Sequence, residues 1–491
     1  MLFSTLEKMG ISSQDILSFI KKLEDSRLST HDVIIMRKGH IVYEAYWKPF
    51  DKDFQHRMYS VTKSFVAIAI GFLEQDGMLS LDNKMSMYFE KELKGQKDEN
   101  MHRQTIRDML MMSTSKSNQN WFEARCDDRV RFYFQNTLEE TRPSGTLYQY
   151  DSSGSFVLGA LVERLTGKTL VEYLRERLFD KIGVSKEATC LTCPGGHSWG
   201  DSALLCTPRD LLLVAQFMMN KGKWNGQQIL NEKFVCAATS KQVDNNVLND
   251  NEFDSFGYGY QIWRTFDNSF FFNGMGCQFA ICVPDKELVF IYNADNQGKS
   301  YAKKIIFDNF FELIVRSASE EALAENKAAQ EKLKEYTSDL KLCSAVGEKT
   351  SPMVDIINNK TYIMGENAMG IKEIKLSFNE DKGKLFYVNA QGEKELSFAL
   401  CDNEFSEFPE DGYSDEIGSQ KGTGRYKCAT SAAWTSQNTL FIKVQIIDKY
   451  FGNLNMHFAF KNNEIGVRME KAAEDFLNSY QGFAGGKMIL N

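Results

Sequence analysis

The 491-residue chain is 43% hydrophobic, 12% aromatic and 25% charged, a globular balance that excludes disorder and fibrous repeats as its main character. Its 58 basic and 66 acidic residues leave a net charge of -8, so no overall positive field favours nucleic acid. The longest apolar run, Phe65–Leu73, is under half of the roughly 20 residues that a membrane-spanning helix needs, and no membrane span is expected.

In chain order, residues 1–26 set apolar side chains at helical spacing and lack a basic segment followed by an apolar one. They read as an amphipathic helix and not as an export signal. With 10 cysteines spread along the chain and no secretory context, the thiols are expected reduced and the compartment cytoplasmic. Val33–Met36, Lys38-Gly39 and Ile41–Tyr46 predict a hairpin. Ser60–Gln75 predicts a strongly apolar helix ending near Gly77, and Thr105–Met112 a short one. After the turn at Thr141–Gly145, helical spacing returns over Gly154–Leu165 and Thr169–Leu178.

Between Phe256 and Asn293 the pattern changes to strands: Gly257–Trp263, Ser269–Phe272, Phe279–Val283 and Leu288–Tyr292, with Pro284-Asp285-Lys286 turning the last pair. The expectation is an α+β domain over residues 1–315, in which helices flank one antiparallel sheet built from both ends of the domain. Residues 316–341, rich in Ala, Glu and Lys, predict a solvated helical linker. Alternating segments separated by Gly, Asn and Asp predict an all-β, barrel-like domain over residues 342–491.

Ser-x-x-Lys occurs at Ser18, Ser60, Ser113, Ser300 and Ser338. Only Ser60-Val-Thr-Lys63 opens a helix apolar enough to be buried nearly all round. At i and i+3 the hydroxyl and ammonium share one helical face, and the positive helix end favours a developing oxyanion, which makes a weak nucleophile reactive. Taken alone, the pair better suits a helix cap with a solvated first-turn lysine, and the remaining motifs reverse that preference. Tyr150, on the loop before the helix at Gly154, is a second candidate, since a phenol beside a lysine can take and return a proton.

Four stretches in order then carry a resemblance. They are Val33–Gly39 with Glu44; Tyr59-Ser-Val-Thr-Lys-Ser64 with Asp76-Gly77, Leu79 and Asp82; Pro143-Ser-Gly-Thr-Leu-Tyr-Gln-Tyr150 with Leu158-Gly159 and Thr166-Gly-Lys168; and Gly274-Met-Gly-Cys-Gln278 with Pro284-Asp285. Over about residues 30–300 the chain resembles the class C β-lactamase and penicillin-binding-protein-like serine hydrolases. That resemblance implies the β-lactamase/transpeptidase-like fold, an acyl-accepting Ser60 with Lys63, and Tyr150 as the acid/base. It implies no metal or organic cofactor, and a small ester, amide or peptide as substrate.

The sequence departs from the family pattern at Ser152, where Asn is usual, and at Phe272-Asn273-Gly274, where a Lys or His is usual before the glycine. Without that cation, esterase or amidase activity is favoured, and Gly-x-Gly-x-Gln is similar to the branch that includes 6-aminohexanoate-dimer hydrolase. Closely spaced Gly274 and Gly276 let a carbonyl approach the backbone, which makes Met275 the candidate second oxyanion donor beside the Ser60 amide; taken alone, the two glycines equally suit a plain bulge in a sheet. Asp151, Ser152, Asn273 and Gln278 are further polar contacts by position, and Tyr258 and Trp263 are candidate pocket walls. A β-lactamase or D-amino-acid peptidase would need another carboxylate anchor, such as Arg264, and a non-catalytic binding protein on the same fold is a third reading. Cys190-Leu-Thr-Cys193 has metal-ligand spacing but no second pair, and reads as plain thiols.

Overall fold

A computed structural model of the chain describes residues 1–116, 118, 120–122, 124, 126–136, 140–246, 252–411, 424–473 and 477–489. The described residues fall into two compact units. The first comprises Met1–Ala294 and Tyr301–Lys341; the second comprises Asp295–Ser300 and the described residues from Leu342 onward.

The first unit is built on a seven-stranded sheet of β1 (Leu2–Phe3), β2 (Thr30–Arg37), β3 (His40–Tyr46), β4 (Trp263–Arg264), β5 (Phe270–Gly274), β6 (Gln278–Val283) and β7 (Leu288–Ala294). Its order is β1-β3-β2-β7-β6-β5-β4, antiparallel except that β1 joins β3 in parallel. The N-terminal hairpin and the late meander meet where β2 pairs with β7, with Ile35 opposite Phe290 and Val33 opposite Tyr292. Every residue of β2 and of β7 is buried, because helices cover both faces of the sheet.

On one face lie α1 (Ser13–Asp25), α5 (Ala302–Phe310) and α6 (Lys327–Thr337). Ile16, Phe19, Ile20 and Leu23 of α1 and Ile306, Phe307 and Phe310 of α5 share one core with Val33, Ile35, Phe271, Ile281 and Phe290 of the sheet. Phe290 stacks on Phe310 at 4.3 Å and meets the edge of Phe19 at 5.7 Å. Helix α6, inside the stretch expected as a linker, buries Ala329 and Leu333, and Gln330 donates to Glu7 at 2.6 Å. On the other face, α4 (Pro208–Met219) packs on β6 and β7, and the Cys282 thiol lies 3.6 Å from the Ala215 carbonyl oxygen.

Helix α2 (Thr62–Gln75) is preceded by a 3-10 turn at Tyr59–Val61, and all its residues from Thr62 to Leu73 are buried. Helix α3 (Ser152–Thr166) packs against it, with Gly159 facing Val66 and Gly200.

The expected strand Gly257–Trp263 forms only at its end, as β4. Alternation misleads there because Gly259 lies against Ala238, where a Cβ would be 2.0 Å from the carbonyl oxygen, and because Gln261 adopts φ +58°. Gln261 is instead a buried latch. Its carbonyl accepts from Ser64 Oγ at 2.8 Å, its Oε1 from Ser155 Oγ at 2.7 Å, and its amide donates to Met109 O at 2.9 Å.

The second unit is the C-terminal β domain: β8 (Thr361–Met364), β9 (Glu373–Asn379), β10 (Lys382–Asn389), β11 (Gly392–Leu400), β12 (Glu404–Glu407), β13 (Lys427–Ser436), β14 (Thr439–Ile447), β15 (Phe451–Lys461), β16 (Glu464–Ala472) and β17 (Gly482–Met488). The run β11-β10-β9-β8-β17-β16-β15-β14-β13 closes into a nine-stranded barrel where β11 and β13 pair in parallel at Ala399↔Ser431 and Leu400↔Ala432, and β12 adds to β13. Strict alternation, as in β16, turns Ile465, Val467 and Met469 inward and leaves their neighbours exposed. Within this unit Asn453 donates to Asp295 at 2.8 Å.

Phe290→Ala removes a fully buried ring from the centre of the first unit's core. We expect a loss of about 3–5 kcal/mol in denaturant unfolding of that unit.

Candidate active site

The Ser60 turn is a strained connection between a short strand and a helix. His56–Arg57 pairs with Leu204–Cys206, and Met58 N–H donates to Leu204 O at 2.8 Å. Tyr59 then takes φ +44°, which an aromatic residue adopts only when its surroundings hold it there. The Arg57 guanidinium lies over its ring at 4.5 Å. Ser60 follows on the 3-10 turn, half-buried. It is not a helix cap: Val61 occupies that position and makes no side-chain cap bond.

Lys63 is buried, and its Nζ donates to Ser60 Oγ at 2.9 Å and to Asp201 O at 2.7 Å. The solvated-lysine alternative is therefore excluded by position. Three further bonds tie the start of α2 to the same segment: Arg57 Nε donates to Ser202 O at 3.0 Å, Leu204 N–H donates to Thr62 Oγ1 at 3.1 Å, and the Met58 bond completes the set.

The structure brings Tyr150 to this pair, with Lys63 Nζ 5.1 Å from the centre of its ring. The phenol ring also stacks on Trp263 at 5.6 Å. Trp263 stands edge-on to Tyr258 at 5.0 Å, and Tyr148 packs on Tyr258 at 5.4 Å. Tyr258 and Trp263 are both buried, so they form the wall behind Tyr150.

Asp151, expected as a polar contact, is the buried N-cap of α3. Its carboxylate accepts from Ser153 N–H at 3.0 Å, Ser153 Oγ at 2.5 Å and Gly154 N–H at 3.1 Å. Burial raises its carboxyl above the ordinary range, and these hydrogen bonds pull it back. Ser152 is the half-buried first residue of α3.

Strand β5 runs directly against the Ser60 turn. A Cβ at Gly274 would fall 2.5 Å from Met58 O, so only glycine allows this approach. Met275 is exposed, and Gly276 and Cys277 turn the chain with φ +80° and +75°. Asn273 is half-buried, opposite Phe279. Gln278 is fully buried and its amide donates to Met275 O at 2.9 Å and Ala294 O at 2.6 Å. Its place is inside the turn, where it braces the backbone of Met275; the expectation of a substrate contact does not fit. Arg264 donates to Thr239 O and to Asn268 Oδ1, both at 2.9 Å, and is held in the β4–β5 connection.

Sequence reasoning missed Gln261 and the segment Trp199–Leu204. Neither carries a periodic signal, since both are irregular loops defined by the partners they find. Among the described residues, no group of three or more His, Cys, Asp and Glu side chains could hold a metal ion. His197, near Cys190 and Cys193, pairs with Glu163 at 2.7 Å. No helix among the described residues is long and apolar enough to cross a membrane.

Comparison with known proteins matches the arrangement to a family. The family model described as Beta-lactamase matches residues 19–307, more than half of the chain. A 6-aminohexanoate-dimer hydrolase from Paenarthrobacter ureafaciens is 25% identical, the alignment covering 50% of this chain and 66% of that relative. The structure of an octameric penicillin-binding protein homologue from Pyrococcus abyssi aligns with a TM-score of 0.51 at 13% identity, covering 96% of this chain and 99% of that one. A Bacillus anthracis protein provisionally named a 6-aminohexanoate-dimer hydrolase aligns with a TM-score of 0.51 at 21% identity, covering 63% of this chain and 85% of that one. With the sheet, the buried α2 and the Ser60 turn in place, the chain belongs to the β-lactamase family of serine hydrolases.

Proposed function

We propose that this chain hydrolyses a small ester or amide through an acyl-enzyme on Ser60. The observation that carries the reading is the contact of 2.9 Å between Lys63 Nζ and Ser60 Oγ, made by a lysine that is otherwise buried and anchored on Asp201 O. In this reading Ser60 Oγ attacks the substrate carbonyl carbon while its proton passes to Lys63. The carbonyl oxygen takes the negative charge and is held by the Ser60 and Met275 amides. Tyr150 gives its phenol proton to the leaving alcohol or amine, which departs as the carbonyl reforms, and the resulting phenolate takes the proton held by Lys63. Water, deprotonated by the Tyr150 and Lys63 pair, then attacks the acyl carbon and releases the acid, restoring Ser60.

The likeness to a 6-aminohexanoate-dimer hydrolase supports an amide or ester over a β-lactam. The absence of a cationic side chain in Phe272-Asn273-Gly274 points the same way, as does the engagement of Arg264 by Thr239 and Asn268. A β-lactamase or D-amino-acid peptidase would use the same three residues, and a binding protein would use none of them chemically.

Intact-mass analysis after a fluorophosphonate and, separately, a penicillin tests these readings. We expect one fluorophosphonate adduct per chain, mapped to Ser60 and absent in Ser60→Ala, and no lasting penicillin adduct. Labelling of Lys63→Ala is expected to slow about 10²–10⁴-fold. No adduct on folded wild type would favour the binding protein, and penicillin turnover would favour the β-lactam reading.

Tyr150→Phe keeps the ring and its stacking on Trp263 but cannot exchange a proton. With an activated ester such as p-nitrophenyl acetate, we expect turnover to fall about 10²–10⁴-fold and an acetylated Ser60 to accumulate in the mass spectrum.

A further inference from the structure

Asp201 is buried to 0% exposure, directly behind the nucleophile's lysine, and lies outside every motif of the site. Its backbone carbonyl accepts from Lys63 Nζ at 2.7 Å. One carboxylate oxygen, Oδ2, accepts from the Trp121 indole N–H at 3.3 Å, while the other, Oδ1, is buried without a hydrogen-bond partner among the described residues. An ionisable group in that state costs stability, and a merely structural role at this position is met equally well by an uncharged side chain.

The charged and titratable groups facing it come from three elements. Arg57 on the strand His56–Arg57 favours its ionised form, and so does Lys63 on α2 whenever it carries a proton. Cys190 and Cys193, on and just after the strand Thr189–Cys190, feel its charge as neutral thiols pushed up by burial. The loop is held fast, since Arg57, Thr62 and Lys63 each grip a different backbone position of Asp201–Leu204. The carboxylate therefore stands at a fixed place relative to Lys63.

We propose that Asp201 is a positioning residue of this site: its carbonyl aims Lys63 Nζ at Ser60, and its buried carboxylate offsets the positive charge that Lys63 acquires on taking the Ser60 proton. The inference rests on the Ser60 acyl-enzyme reading and adds to it a control of the acylation step. The step balances simply. The Ser60 O–H bond breaks, its proton joins the Lys63 lone pair, and the new ammonium lies in the field of an existing carboxylate, which itself exchanges no proton. Creating a cation in a buried site is costly unless an opposite charge is close by, and the offset is present only while Asp201 is ionised.

Burial pushes the Asp201 carboxyl up to about 6, with Lys63 and Arg57 acting against that shift. Below that value the carboxyl is protonated and its compensation is lost; above it the carboxylate is present. Acylation of Ser60 is therefore expected to rise with pH across this value.

The test is the rate of Ser60 labelling by a fluorophosphonate as a function of pH, in wild type, Asp201→Asn and Asp201→Glu. We expect a wild-type acid limb near pH 6. Asp201→Asn, which preserves shape and the backbone carbonyl, should lose this limb and label about 10-fold or more slowly on the plateau. Asp201→Glu should recover a limb. A wild-type profile without a limb near pH 6, or an Asp201→Asn profile with the same limb and plateau as wild type, overturns the proposal. Because the wild-type profile tests it alone, a variant that fails to fold does not protect it. No labelling of wild type at any pH overturns the Ser60 reading, and this inference with it; that outcome is distinct from a labelled wild type whose profile ignores Asp201.

Discussion

The site is organised by one short segment gripped by three consecutive parts of another. Asp201–Leu204 offers backbone groups to Met58 N–H, Arg57, Thr62 and Lys63, so the strand, turn and first helical residues around Ser60 are pinned to a single partner. This attachment helps hold Tyr59 at φ +44° and Lys63 toward Ser60, together with the Arg57 guanidinium over the Tyr59 ring and the approach of Gly274 to Met58 O. The strain at Tyr59 is the cost of presenting a hydroxyl at the mouth of a buried helix. The hydrogen bonds to Asp201–Leu204 offset that cost by satisfying donors that burial would otherwise strand.

Around this attachment the protein separates two kinds of interior. The sheet face under α1 and α5 is almost wholly apolar, with aromatic contacts such as Phe290 on Phe310. Where the loops meet the starts of α2 and α3, buried polar side chains bond backbone: Gln261 to Met109, Gln278 to Met275 and Ala294, Arg57 to Ser202. Such bonds fix loops that no regular ladder could hold. A glutamine that binds two carbonyls at once sets the spacing between two strands or turns, which a methyl group cannot do.

Much of this was legible in the sequence for definite reasons. The helix after Ser60 announces itself because its residues are apolar on every face, as a helix buried all round must be. The hairpin Thr30–Tyr46 and the last three strands of the meander follow from alternation and turn residues, and the barrel from its repeated inside-outside pattern. At the third motif, nothing in Gly-Cys-Gln278 says that the amide folds back into its own turn. Asp151 was placed at the right spot and given the wrong task, because helix capping and substrate contact ask for the same side chain. Gln261 and Asp201 were invisible: each matters through partners more than 100 residues away in the chain, as the separations of 197 and 138 to Ser64 and Lys63 show.

The pairing of β2 with β7 carries a consequence for biosynthesis. Asn293 Nδ2 donates to Asp32 Oδ1 across a separation of 261 residues, and the central strand pair of the sheet exists only when both have left the ribosome. At about 5–20 residues per second, the emerging hairpin waits on the order of 13–50 seconds with a strand uncovered that is buried along its whole length in the finished fold. Contacts this distant in sequence also close slowly once available. Truncated products ending before residue 288 would hold the hairpin and the first strands of the meander but lack the strand that joins them into one sheet.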